Sequence, residues 1–432
     1  MADTVYDYCI VGAGLAGLHC ALRISSKYAK ANILIVDMYS FPGGRVSTHY
    51  EKEQGSSNTP LAYFRSSSPL GRSHWEKGAG RIHSSHRIIG KYVDSYGLTR
   101  IPISSNSEWL GKNHQTTPNY WPAFADSIYS SLSALPHTTL QTKTIRDILG
   151  PEKTQQFLDY FPYNSELTRL RADLAIQSIH SELKGDQGQS FYTVKGGLSE
   201  IIHTMEDTLT GRGVQFLFNH RLVSLTSAKD ESSMRLEFIH AKKPSHILCK
   251  KSILAIPSEG LKKIPLFRGL PILKSITMTP LLRIYGVFKE DSPWFSTIPR
   301  TVTDSPIKHF IPVGKHVTML SYTDADDTTV WTDIRKRYGD AYLKRRILAE
   351  SEKLFQRKIP PPHSFHVYYW KEGCSYWLPG LYDPVAHSKS IMKPLPMRFP
   401  NLFVCGESYS LKQAWMEGAL EHAEQMLNTH IL

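Results

Sequence analysis

The stretch Val5-Tyr6-Asp7-Tyr8-Cys9-Ile10-Val11-Gly12-Ala13-Gly14-Leu15-Ala16-Gly17-Leu18 passes from an apolar run through a glycine-rich turn into an apolar helical pattern. The run at residues 5–11 reads as a strand, the helix runs to about residue 27, and residues 32–37 read as a second strand, which makes a βαβ unit. In such a unit Gly12 permits the tight turn, Gly14 lets a pyrophosphate approach the backbone, and Gly17 lets helix and strand pack closely. The helix N-terminus, with Leu15 and Ala16 in its first turn, directs the positive end of its dipole at the phosphates. Asp37 ends the next strand twenty residues after Gly17, where an acid accepts hydrogen bonds from ribose hydroxyls. A plain glycine-rich turn of an α/β protein is the bland alternative. The turn alone leaves FAD and NAD open.

The rest of the chain sets limits on class. At 432 residues it is too long for one core and implies two domains. Hydrophobic residues at 41% and charged residues at 21% are those of an ordinary globular protein rather than a disordered one. The formal charge of +12 reads as solvated surface, since no basic run interleaves with aromatics as a nucleic-acid groove requires. It still steers anions and zwitterions inward better than polyamines. Five cysteines, an odd number without a Cys-x-x-Cys pair, fit a reducing compartment. The N-terminus carries Asp3 and Asp7 and enters the first strand directly, so no cleavable or membrane-spanning segment is expected, and the reading is a soluble, cytoplasmic protein.

Further along, residues 51–75 read as a long surface loop, residues 86–96 as a helix ended by Gly97, and residues 100–190 as mostly helical, without strand alternation. A helix from about residue 198 and strands near 214–218, 222–225, 234–239 and 252–255 look like a return to the first domain. Strands near 281–288, 316–322 and 364–370, with a helix over 338–355, suggest a second sheet, and residues 401–404 lead through a turn into a last helix from about 414. There is no internal repeat or low-complexity tract.

The continuation Phe41-Pro42-Gly43-Gly44-Arg45-Val46 adds backbone amides and a guanidinium to the same pyrophosphate site. Here the chain resembles the FAD-dependent amine oxidase superfamily, which includes monoamine, polyamine and L-amino-acid oxidases. The resemblance covers most of the chain and keeps the family's order. Glu76-Lys77-Gly78-Ala79-Gly80-Arg81-Ile82 looks like its flavin-contacting loop, and Gly196-Gly197 like its re-entry to the FAD domain. Val223 falls where the family's backbone meets adenine, Ala255-Ile256-Pro257 resembles its strand-ending proline, and Cys405-Gly406-Glu407 with Trp415-Met416-Glu417-Gly418-Ala419 resembles its C-terminal FAD signature. The implied fold is α/β: a Rossmann-type FAD-binding domain of the glutathione-reductase kind, from residues 1–100, 191–265 and 395–432, and a second α+β substrate domain, non-contiguous in sequence, from a helical part at 101–190 and a sheet part at 266–394. No second glycine fingerprint and no paired cysteines are present, so a pyridine-nucleotide disulfide reductase is not expected, and oxygen or another acceptor is expected to reoxidise the flavin.

On the substrate side the resemblance places aromatic walls at Trp415 and at Tyr376 or Trp377, with core aromatics as the alternative. Arg81 stands where L-amino-acid oxidases clamp the substrate carboxylate, a geometry that suits a planar guanidinium, the alternative being a surface or phosphate-pairing arginine. Arg283 departs from the family: on its strand many members carry a lysine that reaches the flavin through water. Cys374 invites comparison with the flavin-linked cysteine of monoamine oxidases, but a buried inert thiol is the better reading. The pairs His83/His86 and His363/His366 have metal-site spacing without an acidic or cysteine partner, so no metal is expected. The expected reaction is oxidation of an amine, foremost an L-amino acid. A monoamine or polyamine oxidase, a desaturase of the protoporphyrinogen-oxidase kind, and a flavin-loaded regulatory protein are the alternatives.

Overall fold

The computed structural model describes residues 4–51, 73–104, 107–118, 120–179, 190–228, 233–289 and 293–432. Most of the loop expected over residues 51–75, and Asp3, lie outside the described residues.

The βαβ unit forms as read: strand Val5–Val11, helix Leu15–Lys27, strand Ile33–Val36. It belongs to a seven-stranded sheet in which Gln215–Leu217, Ile33–Val36, Val5–Val11, Lys243–Leu254 and Leu402–Val404 run parallel. Ile33–Val36 and Leu402–Val404 are buried at every position, which is why they appear in the sequence as continuous apolar runs rather than alternation. Tyr8, Ile10, Ile33, Ile35, Ile253 and Phe403 pack in one core with the helices Leu15–Lys27, Ser199–Gly211 and Met416–His430. Their strand neighbours Cys9, Val11, Leu34, Val36, Leu254 and Val404 pack in the other, with residues of Arg221–Ser227 and Met234–His240. A Cβ at Gly17 would stand 1.9 Å from the Gly12 carbonyl oxygen, so helix and turn meet here only because residue 17 is glycine.

The strand expected at 252–255 begins nine residues earlier, at Lys243, because Met234–His240 and Lys243–Leu254 form an antiparallel hairpin. Its turn, Ala241-Lys242, has φ of 48° and 67°. That is the backbone of a two-residue primed turn, built without the Asn-Gly or Asp-Gly that would have announced it.

The second sheet has the order Ser364–Trp377, Ile276–Val287, Val317–Asp324, His309–Pro312, Thr301–Val302, Glu108–Leu110, Thr116–Pro118. Its last two strands correct the expectation that residues 100–190, mostly helical, lack strands, as does Arg100–Ile103, which pairs with Phe191–Val194. These strands are three or four residues long, too short for alternation to show. The helices of that stretch follow from Trp121–Leu132 to Ala172–Ser178. The helix expected at 338–355 is the second part of Thr328–Phe355, which is interrupted at Gly339 (φ 78°). Among the described residues no helix is long and apolar enough to cross a membrane.

Two glycines three residues apart, Gly14 and Gly17, separate folding from binding. Gly17→Ala forces a carbon into the Gly12 carbonyl and is expected to destabilise the protein by about 2 kcal/mol or more, read as a fall in melting temperature. Gly14 has open space about its would-be Cβ, so Gly14→Ala leaves the melting temperature of the flavin-free protein unchanged while weakening FAD uptake. Equal melting temperatures for Gly17→Ala and the parent would contradict this assignment.

Candidate active site

The glycine turn opens onto one cavity of about 1660 Å³, whose wall is shared between the parallel sheet and the second sheet. Gly12 (φ 109°) bends the chain so that its N–H donates to Val36 O at 2.7 Å and Ala13 N–H donates to Asp37 Oδ2 at 2.6 Å. Asp37 Oδ1 accepts from Tyr39 N–H at 2.8 Å, so each oxygen keeps a further lone pair for a ribose hydroxyl. Gly12, Gly14, Leu15, Ala16, Asp37, Gly44, Arg45, Gly406, Glu407, Met416 and Ala419 all line the cavity. Gly14 and Gly406 both leave their Cβ positions open. An acid at one end, bare glycine backbone and a helix N-terminus beyond it form the cradle that FAD fits.

Glu407 is the most heavily bonded group of this wall. Its Oε1 accepts from Ser375 N–H (3.0 Å) and Ala414 N–H (2.7 Å), and its Oε2 from Arg45 Nη1 (2.8 Å) and Ser375 Oγ (3.0 Å). Arg45 Nη1 also donates to Gly373 O at 3.1 Å. Burial alone would raise the Glu407 carboxyl, but the Arg45 charge and the Ala414 and Ser375 hydrogen bonds hold it below the usual range. The Arg45 guanidinium therefore meets the cavity already neutralised by Glu407, and the side chain of Glu407 acts by joining segments. The loop Gly78-Ala79-Gly80 lies against the Arg45 segment: Ala79 N–H donates to Arg45 O at 2.9 Å, and a Cβ at Gly78 would be 2.1 Å from that oxygen.

At the inner end, Arg81 lies 4.1 Å over the Phe191 ring and 5.5 Å from that of Trp415, with Nη2 donating to Tyr163 Oη at 3.3 Å. Arg283 Nη1 donates to Glu76 O at 3.1 Å, and its guanidinium occupies the space that the missing side chain of Gly80 leaves. Sheet register sets Arg283, Tyr322 and His309 side by side on neighbouring strands. Tyr376 lines the same end.

Gly17, grouped with the cofactor-binding glycines, takes the packing role alone and faces the turn rather than the cavity, and two expected contacts fall elsewhere. Trp377 is buried, its Nε1 donating to Ser410 O at 3.1 Å, because neighbours on a strand point to opposite faces and Tyr376 takes the cavity side. Val223 sits at a bulge in its strand, and Arg221 and Leu222 form the lining there. Cys374 lines the cavity as a buried thiol that burial, Glu407 and Asp324 push up to about 12, the profile of an unreactive cysteine. His366 does find an acidic neighbour: Glu51 Oε2 lies 3.5 Å from its Nε2, and His49 is beside both.

Sequence reasoning passed over Tyr163, Glu166, Arg300, His309 and Tyr322, all of which line the inner end. It also assigned no role to the carboxylate of Glu76, which accepts from Leu198 N–H (2.7 Å) and Thr48 Oγ1, and which burial pushes up to about 7. None of these sits in a short motif, so no local signal announced them.

A family model for flavin-containing amine oxidoreductases matches residues 15–426. Two solved structures of a putrescine oxidase, one a single-substitution variant from a redesign of cofactor binding and the other the wild type bound to putrescine, align at TM-scores of 0.74 and 0.71 with 13% identity, covering 99% of both chains. A putative protoporphyrinogen oxidase from Exiguobacterium sp. 255-15 aligns at 0.69, again with 13% identity and 99% of both chains covered.

The Glu407 cluster yields a pH signature. A carboxylate held below its unfolded value contributes stability that is fully present above that value and lost as pH falls through its folded one, here below about pH 4. Glu407→Gln leaves Arg45 without its counter-charge and is expected to cost about 3 kcal/mol or more at neutral pH. Its melting temperature should also fall less steeply than the parent's between neutral pH and about pH 3. Parallel acid profiles for the two proteins would show that the cluster does not carry this stability.

Proposed function

This chain belongs to the flavin-containing amine oxidoreductase family and is an FAD-dependent oxidoreductase, and we propose that the amine it oxidises is an L-amino acid. The observation that carries this reading is Arg81. It lies 4.1 Å over the Phe191 ring and 5.5 Å from that of Trp415 on the cavity wall, its Nη2 donates to Tyr163 Oη, and among the described residues no ion pair joins it to a carboxylate. A planar guanidinium takes a carboxylate through two parallel hydrogen bonds, so the substrate is oriented by its acid group.

FAD, when bound, supplies the two-electron acceptor. The protein's part is positional: Arg81 holds the carboxylate, and Tyr376 and Trp415 confine the α-carbon between apolar walls, reducing the freedom the reaction must otherwise overcome. The amino acid gives up two electrons and two hydrogens to become an imine, which water hydrolyses to a 2-oxo acid and ammonia. The electrons pass on to oxygen, giving hydrogen peroxide, or to another acceptor.

A diamine is the competing substrate class, since putrescine oxidase shares the fold. Against it stands the charge of the inner end: Arg81, Arg283 and Arg300 line it together, and two ammonium groups would be repelled there.

Arg81→Met tests the reading. Losing one partner of a charge-assisted pair in a closed site costs about 2 to 4 kcal/mol, on the order of 30- to 1000-fold in kcat/KM. That loss is expected for the best amino acid and is absent for its decarboxylated amine. Equal losses for both would make Arg81 a structural or flavin-positioning residue.

A further inference from the structure

The inner end contains more cationic and hydrogen-bonding capacity than one carboxylate uses. His309 is 1% exposed, lines the cavity, and has no hydrogen-bond partner at either ring nitrogen. Arg300 lines the same wall; its Nη1 donates to Ser104 O at 3.0 Å, while its buried Nε has no partner. Arg283, 8% exposed, likewise has an unpartnered Nε. Buried polar nitrogens are almost always bonded, so three such groups around one space mark the place of a ligand that accepts hydrogen bonds.

The charges say which ligand. The acids elsewhere on the cavity wall are already engaged: Asp37 with Ala13 and Tyr39, Glu76 with Thr48 and Leu198, Glu372 with Lys263, and Glu407 with Arg45. Glu166 also lines the cavity, one carboxylate against the three guanidiniums of Arg81, Arg283 and Arg300, so cationic groups are in excess there. Burial, reinforced by the guanidiniums of Arg300, Arg81 and Arg283, keeps the His309 imidazole uncharged, so it offers one N–H donor and adds no charge of its own. Single-sign excess among partly buried groups is costly unless a ligand of opposite sign completes it.

We propose that Arg300 and His309 form a second anion subsite, so that the substrate is an amino acid whose side chain ends in a carboxylate. This rests on the amino-acid reading above. With Arg81 on the α-carboxylate, Arg300 and the N–H of His309 take the distal one. Arg300 and His309 are thus specificity residues, and a basic or neutral side chain would leave their nitrogens desolvated and unpaired.

The test is calorimetric titration of the FAD-loaded protein with glutarate and with butanoate, which share a four-carbon acid skeleton and differ by the second carboxylate. Glutarate is expected to bind on the order of 10- to 100-fold more tightly. Arg300→Gln should abolish that advantage without changing butanoate binding, and Arg300→Lys should restore part of it. Equal affinities for the two acids in the parent protein, or an equal loss of both in Arg300→Gln, would overturn the second subsite while leaving Arg81 and the amino-acid reading intact. Failure of both acids to bind would overturn the subsite and the amino-acid reading together.

Discussion

The buried contact between Arg45 and Glu407 is the constraint on which the rest of the cavity depends. Arg45 follows the glycine pair after the second strand of the parallel sheet, Glu407 follows that sheet's last strand, and Ser375, which donates to Glu407 twice, belongs to a long strand of the other sheet. One carboxylate with four donors therefore fixes three segments that are far apart in sequence. Because it also receives Ala414 N–H, it sets the start of the segment that carries Trp415. A charge in so dry a position is tolerated only when fully paired, so the cluster acts as an all-or-none lock on the relation between the two sheets.

From that lock follows the electrostatic character of the inner end. With Arg45 neutralised by Glu407, the cavity changes from a balanced region around the glycine turn to a cationic one around Arg81, Arg283 and Arg300. The overall excess of basic residues points the same way, drawing anionic and zwitterionic solutes toward the molecule before they meet the local field. Arg283 fits this design: arginine keeps its charge through the working pH range and is anchored by the Glu76 carbonyl.

What the sequence disclosed and what it withheld divide along a physical line. Gly12, Gly14, Gly17 and Asp37 were legible because turn, helix dipole and acid occur within one βαβ unit, where local chemistry dictates the backbone. Arg81 and Trp415 were legible through motifs with fixed spacing. His309, Arg300 and Tyr163 were not, since they come together through cross-strand register and the packing of distant segments, which no window of sequence contains. The same reason explains Trp377: the motif was located correctly, but only the pleat decides which of two adjacent aromatics faces the cavity. The hairpin at Ala241-Lys242 was hidden because its residues adopt positive φ without belonging to the types that favour it.

The most direct test of the account is to mix the FAD-loaded protein with L-amino acids, their decarboxylated amines and diamines in the absence of oxygen, and to follow loss of the flavin's visible absorption. The account predicts that an L-amino acid bleaches the flavin at least about tenfold faster than any amine or diamine, a margin of roughly 1.4 kcal/mol in the barrier. Faster bleaching by a diamine, or no bleaching by any of them, would contradict it.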